Sequence, residues 1–381
     1  MYRFFNSSIW TVAAALLVSS AAFAQETPIK AFCIDFNWGP GGDNAFAGPG
    51  VWADADPEAH VAWYEGLGVN TIQTFAVSCN GYAWYKNGIV PAQPGLKHDF
   101  LSEVVRLGHA RGMRVMAYFC VAANTRWSKA HPEQSYGAAA DMNLIMTDGY
   151  LDFLTASMQD ALEKTGIDGF MIDWLWNPDR GRERAGGTWL DAEKQLYERV
   201  MGIPFPGEDQ LTPDEKLAYD RKNIDRVWRR IREAAKSAKP DCILWLSCYD
   251  VTQPSVAGSK LFEEVDWLMN EDPDPAHLEK VLGRERPKHQ RVLQCLVGWG
   301  DQHNAYRVVT DKDCPIRDFY GFAKPGDNSL PRPIAEYLSN PIDSFSGNDK
   351  NIATLARFYN RLLGDSADTK EPRIGSGKGK E

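Results

Sequence analysis

Three acidic residues stand directly after apolar runs, where a buried segment has no use for a charge. Asp173 ends GFMID (169–173), and Glu271 and Asp272 follow VDWLMN (265–270). Burial of an unpaired carboxylate is costly, so carboxyl groups in these positions indicate a chemical role. Two such groups can share acid–base work, because one environment can hold a proton while another keeps its carboxylate ionised. Capping a following helix, or pairing with an arginine, is the structural alternative.

Amide, indole and further acidic side chains follow other apolar runs. This mixture is typical of a sugar-binding site, in which carboxyl groups act on the glycosidic bond, amides bind hydroxyl groups and indole faces cover the apolar side of a ring. Trp174 and Trp176 have the opposite strand parity to Asp173, so packing outward against helices is an equal alternative for them. The remaining candidates for substrate binding are Asp35, Asn37, Trp38, Gln73, Asn124, Asp250, Trp299 and His303.

Eight β-rich runs position these residues, and each is nearly continuous in apolar side chains. Strands that are buried on both faces have this composition in parallel sheets. Amphipathic stretches with helix-capping signals alternate with them. The strand candidates are 29–37, 71–78, 114–122, 169–175, 242–249, 265–271, 291–299 and 319–324. The helix candidates are 57–68, 98–112, 149–166, 212–240, 274–285 and 352–364.

Alternating strands and helices without a long spacer predict an α/β fold, a TIM (β/α)8 barrel, within one domain of residues 25–365. An open doubly wound sheet is the rival architecture, but no GxGxxG turn follows the first strand. Active sites of such barrels form at the carboxyl ends of the strands. The barrel therefore predicts that the candidate residues meet at one opening.

One connection departs from the barrel pattern. Residues 177–211, between the fourth strand and the next long helix, far exceed the usual βα loop of about 2–6 residues. The first part, DRGRERAGG (179–187), is predicted to be mobile, and WLDAEKQLYERVMG (189–202) is predicted to be helical. An insertion at this point lies over the opening beside Asp173. We therefore expect it to act as a lid.

Both ends of the chain fall outside the predicted barrel. Residues 1–24 combine Arg3, an apolar stretch and Ala22-Phe23-Ala24, which is the pattern of a cleavable signal peptide. We expect export to the periplasm or the cell exterior after cleavage near Ala24, with no membrane anchor. Residues 366–381 are predicted to be a disordered tail.

Composition limits the partners and cofactors. The net charge is −9 and no basic stripe is present, which argues against nucleic acid and anionic membrane surfaces as partners. The seven cysteines show no CxxC or Cys/His zinc spacing, and their disulfide pairing is left open. The first strand lacks the HxH motif of metal-dependent barrel hydrolases, so we expect neither a metal nor a cofactor. The sequence does not determine the oligomeric state.

The segment around Asp173 resembles a known group of enzymes. GIDGFMIDW (166–174) is similar to the fourth-strand element of retaining barrel glycosidases, including α-galactosidases, α-glucosidases and α-L-fucosidases. FCIDFNWG (32–39) is similar to the first strand of α-L-fucosidases, although their histidine before the tryptophan is absent. The resemblance implies that Asp173 is the nucleophile.

The same resemblance implies where the acid/base residue lies. In α-galactosidases and α-glucosidases this aspartate follows the sixth strand, which favours Asp272 over Glu271. Asp250, after the fifth strand, is a third candidate. The sequence thus predicts an exported, retaining glycoside hydrolase that acts on a carbohydrate substrate, an oligosaccharide or a glycoconjugate. A non-catalytic carbohydrate-binding barrel, or a hydrolase or lyase of another class on the same scaffold, is the alternative.

Overall fold

The computed structural model describes residues 27–42, 46–137, 143–173, 175, 182, 185–248, 251–272, 275–297 and 316–363. Eight parallel strands pair in chain order, and the first strand pairs with the last to close a barrel. The predicted TIM barrel is confirmed. The strands are β1 Lys30–Ile34, β2 Thr71–Val77, β3 Arg114–Cys120, β4 Gly169–Asp173, β5 Ile243–Cys248, β6 Trp267–Asn270, β7 Arg291–Val297 and β8 Asp318–Ala323.

Helices alternate with the strands, and side chains cap the starts of several of them. In the described residues they are α1 Pro57–Leu67, α2 Phe100–Ala110, α3 Thr125–Ala130, α4 Asp148–Thr165, α5 Asp191–Met201, α6 Pro213–Ala238, α7 Pro254–Ala257, α8 Lys260–Glu264, α9 Pro275–Leu282, α10 Ile334–Ser339 and α11 Gly347–Leu363. Asp56 accepts a hydrogen bond from the amide of Glu58 at the start of α1. Thr212 and Glu215 form a reciprocal capping box at the start of α6. These contacts satisfy amides that a helix start leaves without partners.

Side chains alternate between the barrel interior and the helix layer. Trp245 of β5 and Tyr320 of β8 have ring centroids 5.2 Å apart although their strands are not neighbours, so both rings point into the barrel. Trp245 pairs with Met171 of β4 and with Trp267 of β6, which therefore also point inward. Because the period along a strand is two residues, Asp173 at the end of β4 points inward as well.

The described residues form two hydrophobic cores. The larger core fills the barrel and the space between its strands and helices. The smaller one joins the insertion after β4 to α6 and to the segment before α4, and it consists of Tyr136, Ile145, Trp189, Leu196, Tyr197 and Tyr219. The insertion therefore has a packed core of its own.

Five cysteines in the described part of the chain lie in its interior. Cys33, Cys79, Cys120, Cys242 and Cys295 are buried free thiols. Such cysteines behave as small hydrophobic residues.

Of the helices in the described segments, none combines the length and the apolar character that a membrane span requires.

Closure of the barrel between β4 and β5 depends on a glycine. A Cβ atom at Gly169 would lie 2.0 Å from the backbone oxygen of Ile243 on the neighbouring strand. We expect Gly169→Ala to lower the free energy of unfolding by about 1–3 kcal/mol or more, because the strands must separate to admit the methyl group. Urea denaturation checks this. The matched control is Gly149→Ala in α4, where nothing lies within 4 Å. It should be neutral or stabilising by up to about 1 kcal/mol, and equal effects at the two glycines would contradict the prediction.

Candidate active site

Three carboxyl groups from different strands meet at the carboxyl end of the barrel. Asp173 ends β4, while Asp35 and Glu271 directly follow β1 and β6. Cys79 and Tyr118 both experience the charges of Asp35 and Asp173. Asp35 in turn experiences the charge of Glu271. The three groups therefore surround one opening, with Asp35 common to both sets of interactions.

The carboxyl group of Asp173 is held by a tyrosine of the neighbouring strand. The hydroxyl of Tyr118 donates a hydrogen bond to Asp173 Oδ2 at 2.8 Å. Burial and the Asp173 charge raise the pKa of Tyr118 well above its usual range, so the phenol keeps its proton. The backbone oxygen of Asp173 also accepts from the amide of Val121 at 2.8 Å. These contacts fix a half-buried carboxyl group at the opening.

Glu271 points into the barrel and meets a neutral donor. The hydroxyl of Ser247, which has the inward parity of Trp245, donates to Glu271 Oε1 at 3.0 Å. Burial raises the pKa of Glu271, and this hydrogen bond opposes the rise. The net direction is upward because one neutral hydroxyl compensates poorly for lost hydration. Burial therefore favours the protonated form of Glu271.

The turn after β6 fixes the orientation of Glu271. The amide groups of Asn270 and Gln294 donate to the backbone oxygen of Asp272 at 3.1 and 3.3 Å. Asn270 also donates to Gln294 Oε1 at 2.8 Å, and its own oxygen lies 2.8 Å from Nδ1 of His277 in α9. Asn270 thus faces α9 while Glu271 faces the interior.

The carboxyl group of Asp35 experiences opposing influences on its pKa. Burial raises its pKa to about 7, with a further upward contribution from Glu271. The amide of Asn37, which donates to Asp35 Oδ1 at 2.8 Å, and the charge of Lys324 after β8 act in the opposite direction. Asp35 therefore changes its charge near neutral pH.

Three predicted amides make contacts within the protein. Asn37 Oδ1 accepts from the amide of Cys79 at 2.8 Å and connects the segments after β1 and β2. Gln73 lies inside the barrel, where its Oε1 accepts from Tyr320 at 2.8 Å. Asn124 caps α3 by accepting from the amide of Trp127 at 2.9 Å.

Of the predicted indoles, only that of Trp38 lies in the described residues. The half-buried ring of Trp38 packs against Phe46, with centroids 4.8 Å apart. It lies three residues after Asp35, on the β1 side of the opening. The other candidates, Trp174, Trp176, Asp250, Trp299 and His303, lie outside the described residues.

Sequence reasoning did not single out Tyr118 and Ser247, the two hydroxyl donors of the site. Both have a signal in strand alternation. Tyr118 lies two residues before Cys120, which pairs with Asp173, and Ser247 lies two residues after Trp245. Hydroxyl groups at inward positions near the carboxyl ends of strands are natural partners for the acidic groups there.

Metal ligands are not gathered in the described part of the chain. No group of three or more histidine, cysteine, aspartate and glutamate side chains is arranged there to hold an ion. The described carboxyl groups instead have hydroxyl and amide donors as partners. The absence of a required metal stays a prediction.

Part of this chain is similar to a family of glycosyl hydrolases. Residues 56–174 match the family described as "Hypothetical glycosyl hydrolase 6". This match covers β2, β3 and β4 and includes Asp173. The predicted resemblance to barrel glycoside hydrolases is confirmed. Comparison with curated proteins gives no match.

Solved structures of α-L-fucosidases have similar folds. Isoenzyme 2 from Paenibacillus thiaminolyticus is 16% identical with a TM-score of 0.62, over 88% of this chain and 49% of that one. An α-L-fucosidase from Bacteroides thetaiotaomicron is 13% identical with a TM-score of 0.44, over 81% and 60%. A bacterial fucosidase is 16% identical with a TM-score of 0.46, over 87% and 72%. The chain thus spans about half the length of the first of these proteins.

The raised pKa of Asp35 predicts a pH-dependent stability. The folded protein holds this proton up to about pH 7, whereas the unfolded chain releases it near 3.8. More protons are then bound in the folded state, so stability falls as pH rises from about 4 to about 7. Asp35→Asn removes this contribution and should flatten the curve by at most about 4 kcal/mol, the equivalent of about three pKa units.

Urea denaturation between those pH values measures the difference. Asp343→Asn is the control, because the Asp343 side chain is 93% exposed. Identical pH dependence of stability in wild type and Asp35→Asn would show that Asp35 does not hold a proton in the folded state.

Proposed function

We propose that this protein is a retaining glycoside hydrolase that cleaves O-glycosidic bonds, with Asp173 as the nucleophile and Glu271 as the acid/base residue. One observation carries the proposal. A carboxyl group fixed by a phenol donor and a second carboxyl group whose pKa burial raises lie at the same barrel opening. Two carboxyl groups in different environments are what this reaction requires. The family match over residues 56–174 supports the same class.

The first step forms a glycosyl-enzyme. An oxygen of Asp173 attacks the anomeric carbon while Glu271 transfers its proton to the glycosidic oxygen. The bond between the anomeric carbon and the glycosidic oxygen breaks, and the leaving group departs as an alcohol. Burial of Glu271 favours the protonated form that this step needs. Tyr118 holds Asp173 Oδ2 and so orients the carboxylate for attack.

The second step returns the enzyme to its starting state. Glu271, now ionised, accepts a proton from water, whose oxygen attacks the anomeric carbon and breaks the ester bond to Asp173. The hydroxyl of Ser247 stabilises the ionised form of Glu271 between the two steps. Tyr118 stabilises the carboxylate that leaves. Each carboxyl group thus has a neutral donor that assists its charged form.

The geometry favours Glu271 over Asp272 as the acid/base residue. Glu271 faces Ser247 in the interior, whereas the backbone oxygen of Asp272 holds the turn. Asp35, with a pKa of about 7 beside Glu271, is proposed to accept a hydrogen bond from a substrate hydroxyl. The proposed substrate is an oligosaccharide or glycoconjugate, and α-L-fucosides belong in the first panel because the similar fold occurs in α-L-fucosidases. We also propose export, on the pattern of residues 1–24.

Substitution of the nucleophile provides the first test. Asp173→Ala should lower turnover of aryl glycosides by about 10⁴-fold or more, without a change in thermal unfolding. Azide should restore turnover by taking the place of the carboxylate, and the glycosyl azide should have inverted configuration. Asp343→Ala is the exposed control. Wild-type protein treated with a 2-deoxy-2-fluoroglycosyl fluoride should carry the sugar on Asp173, and a label on another residue would reject this assignment.

Substitution of the acid/base residue has a different signature. Glu271→Ala should lower kcat/KM by about 10²–10⁴-fold for substrates with poor leaving groups. It should have much less effect on 2,4-dinitrophenyl glycosides, whose leaving group needs no proton. Wild-type kcat/KM should fall as pH rises through the raised pKa of Glu271, because the acid is then deprotonated. The variant should lack this decline.

Asp272→Ala is the matched control for Glu271→Ala. It should keep the decline at high pH and depend on the leaving group as wild type does. Measurements of kcat/KM against pH and against leaving-group pKa compare the two variants. If Asp272→Ala instead loses the decline at high pH and Glu271→Ala keeps it, Asp272 is the acid/base residue.

A further inference from the structure

A buried cluster of charges holds the described part of the insertion after β4. Arg182 donates from Nε to Glu193 Oε2 at 3.0 Å and from Nη2 to Glu193 Oε1 at 3.1 Å. Its guanidinium lies 3.8 Å from Asp220 Oδ1 of α6 and 4.2 Å from the ring centroid of Trp189. Arg182 is 4% exposed and Glu193 is fully buried. Arg182, Glu193 and Asp220 are named here the buried charge cluster.

Tyrosines connect the buried charge cluster to two other parts of the barrel rim. The hydroxyl of Tyr136, in the segment between α3 and α4, donates to Glu193 and accepts from the amide of Leu190 at 3.0 Å. The hydroxyl of Tyr219 in α6 lies 3.4 Å from Glu193 Oε1. Glu193 of α5 is therefore bonded to the insertion itself, to the segment after β3 and to α6.

Backbone contacts continue from this cluster to Asp173. Ile145 packs in the same small core as Tyr136. Its neighbour Leu144 donates its amide to the backbone oxygen of Ala122 at 3.0 Å, and Val121 donates to the backbone oxygen of Asp173 at 2.8 Å. Packing, two backbone hydrogen bonds and two steps between neighbouring residues thus link the insertion to the proposed nucleophile.

These contacts oppose the opening and closing that a lid requires. Lifting the insertion off α6 would separate Arg182 from Asp220 and Glu193 from Tyr219, leaving charges in an apolar surrounding with fewer partners. It would also uncover Trp189 and Tyr197, which are 5% and 0% exposed. The planar guanidinium donates paired hydrogen bonds to a carboxylate only in a narrow range of orientations. These contacts favour a single position of the insertion.

We propose that residues 185–211 form a permanent wall of the substrate cleft and that Arg182 is a positioning residue which holds this wall beside Asp173. The wall contacts parts of an extended saccharide beyond the sugar that Asp173 attacks. Its effect on substrates rests on the proposed glycosidase function. Its rigidity does not, so the two can be tested separately.

Hydrogen exchange measured by mass spectrometry on the full chain tests the rigidity. In wild type the amides of α5 should be protected as well as those of α4. Arg182→Met should raise exchange in α5 by about tenfold or more while α4 stays unchanged, since Glu193 loses its cation. Glu193→Gln, which keeps an oxygen acceptor, should give a smaller rise. Fast exchange of α5 in wild type would overturn the proposal, whether or not the protein hydrolyses glycosides.

The control variant changes a residue of α5, the helix whose exchange is measured. Arg199→Met removes an arginine that is 49% exposed and lies 3.6 Å from Asp148, and it should leave exchange in α5 unchanged. Equal exchange in Arg182→Met, Arg199→Met and wild type would show that the buried charge cluster does not hold the wall.

Kinetics test the effect on substrate. An aryl glycoside that the wild type hydrolyses is compared with a disaccharide carrying the same non-reducing sugar. Arg182→Met should lower kcat/KM for the disaccharide by about tenfold or more, mainly through KM, and change that for the aryl glycoside by no more than about threefold. Equal losses on both substrates, or no loss on either, would overturn the positioning role. If wild type hydrolyses no glycoside, the proposed function fails, and hydrogen exchange alone decides whether the wall is fixed.

Discussion

Closure of eight strands into a ring leaves an interior that side chains fill completely, and this limit determines what the opening can contain. Trp245 and Tyr320 meet across that interior, and the hydroxyl of Tyr320 is fixed by Gln73. Asp35 and Glu271 act on the same hydroxyl through their charges. The acidic groups therefore lie above an aromatic floor that limits their contact with water. Raised pKa values follow from that position.

Unequal compensation for burial separates the roles of the three carboxyl groups. Asp173 has the phenol of Tyr118 as a partner and lies half-buried at the strand end. Glu271 has the hydroxyl of Ser247 as a partner, and burial raises its pKa. Burial raises the pKa of Asp35, and the charges of Glu271 and Lys324 act on it in opposite directions. In the proposed function, Asp173 attacks, Glu271 transfers a proton and Asp35 responds to neutral pH.

Sequence predicts the barrel because strands buried on both faces must be apolar along their length. GFMID (169–173) coincides with β4, and Asp173 marks its end. Sequence does not choose between Glu271 and Asp272, since neighbours point to opposite sides and only the register fixes which side is inward. That register is visible in the pairing of Trp245 with Trp267. The partners Tyr118 and Ser247 come from other strands, so local pattern alone does not connect them to the acids.

Arg182 shows the limit of local reasoning in a different way. It belongs to DRGRERAGG (179–187), whose composition predicts a mobile segment, yet it is 4% exposed. Its partners are of different types and lie outside its own segment: a carboxylate in α5, another in α6 and the ring of Trp189. A charged residue can be buried where complementary charges receive it, and local composition does not encode those partners.

Stability alone is a poor explanation for such a cluster. Replacing a buried ion pair by apolar residues of similar volume is often neutral or stabilising, because desolvation of both charges offsets their attraction. What an apolar replacement loses is direction: the two parallel hydrogen bonds from Arg182 to Glu193 set the orientation of α5, whereas leucine and methionine would permit several. A cleft wall that discriminates between saccharides needs a single orientation more than it needs extra stability. The cost of burying Arg182 and Glu193 is therefore understandable if the insertion serves recognition beside Asp173.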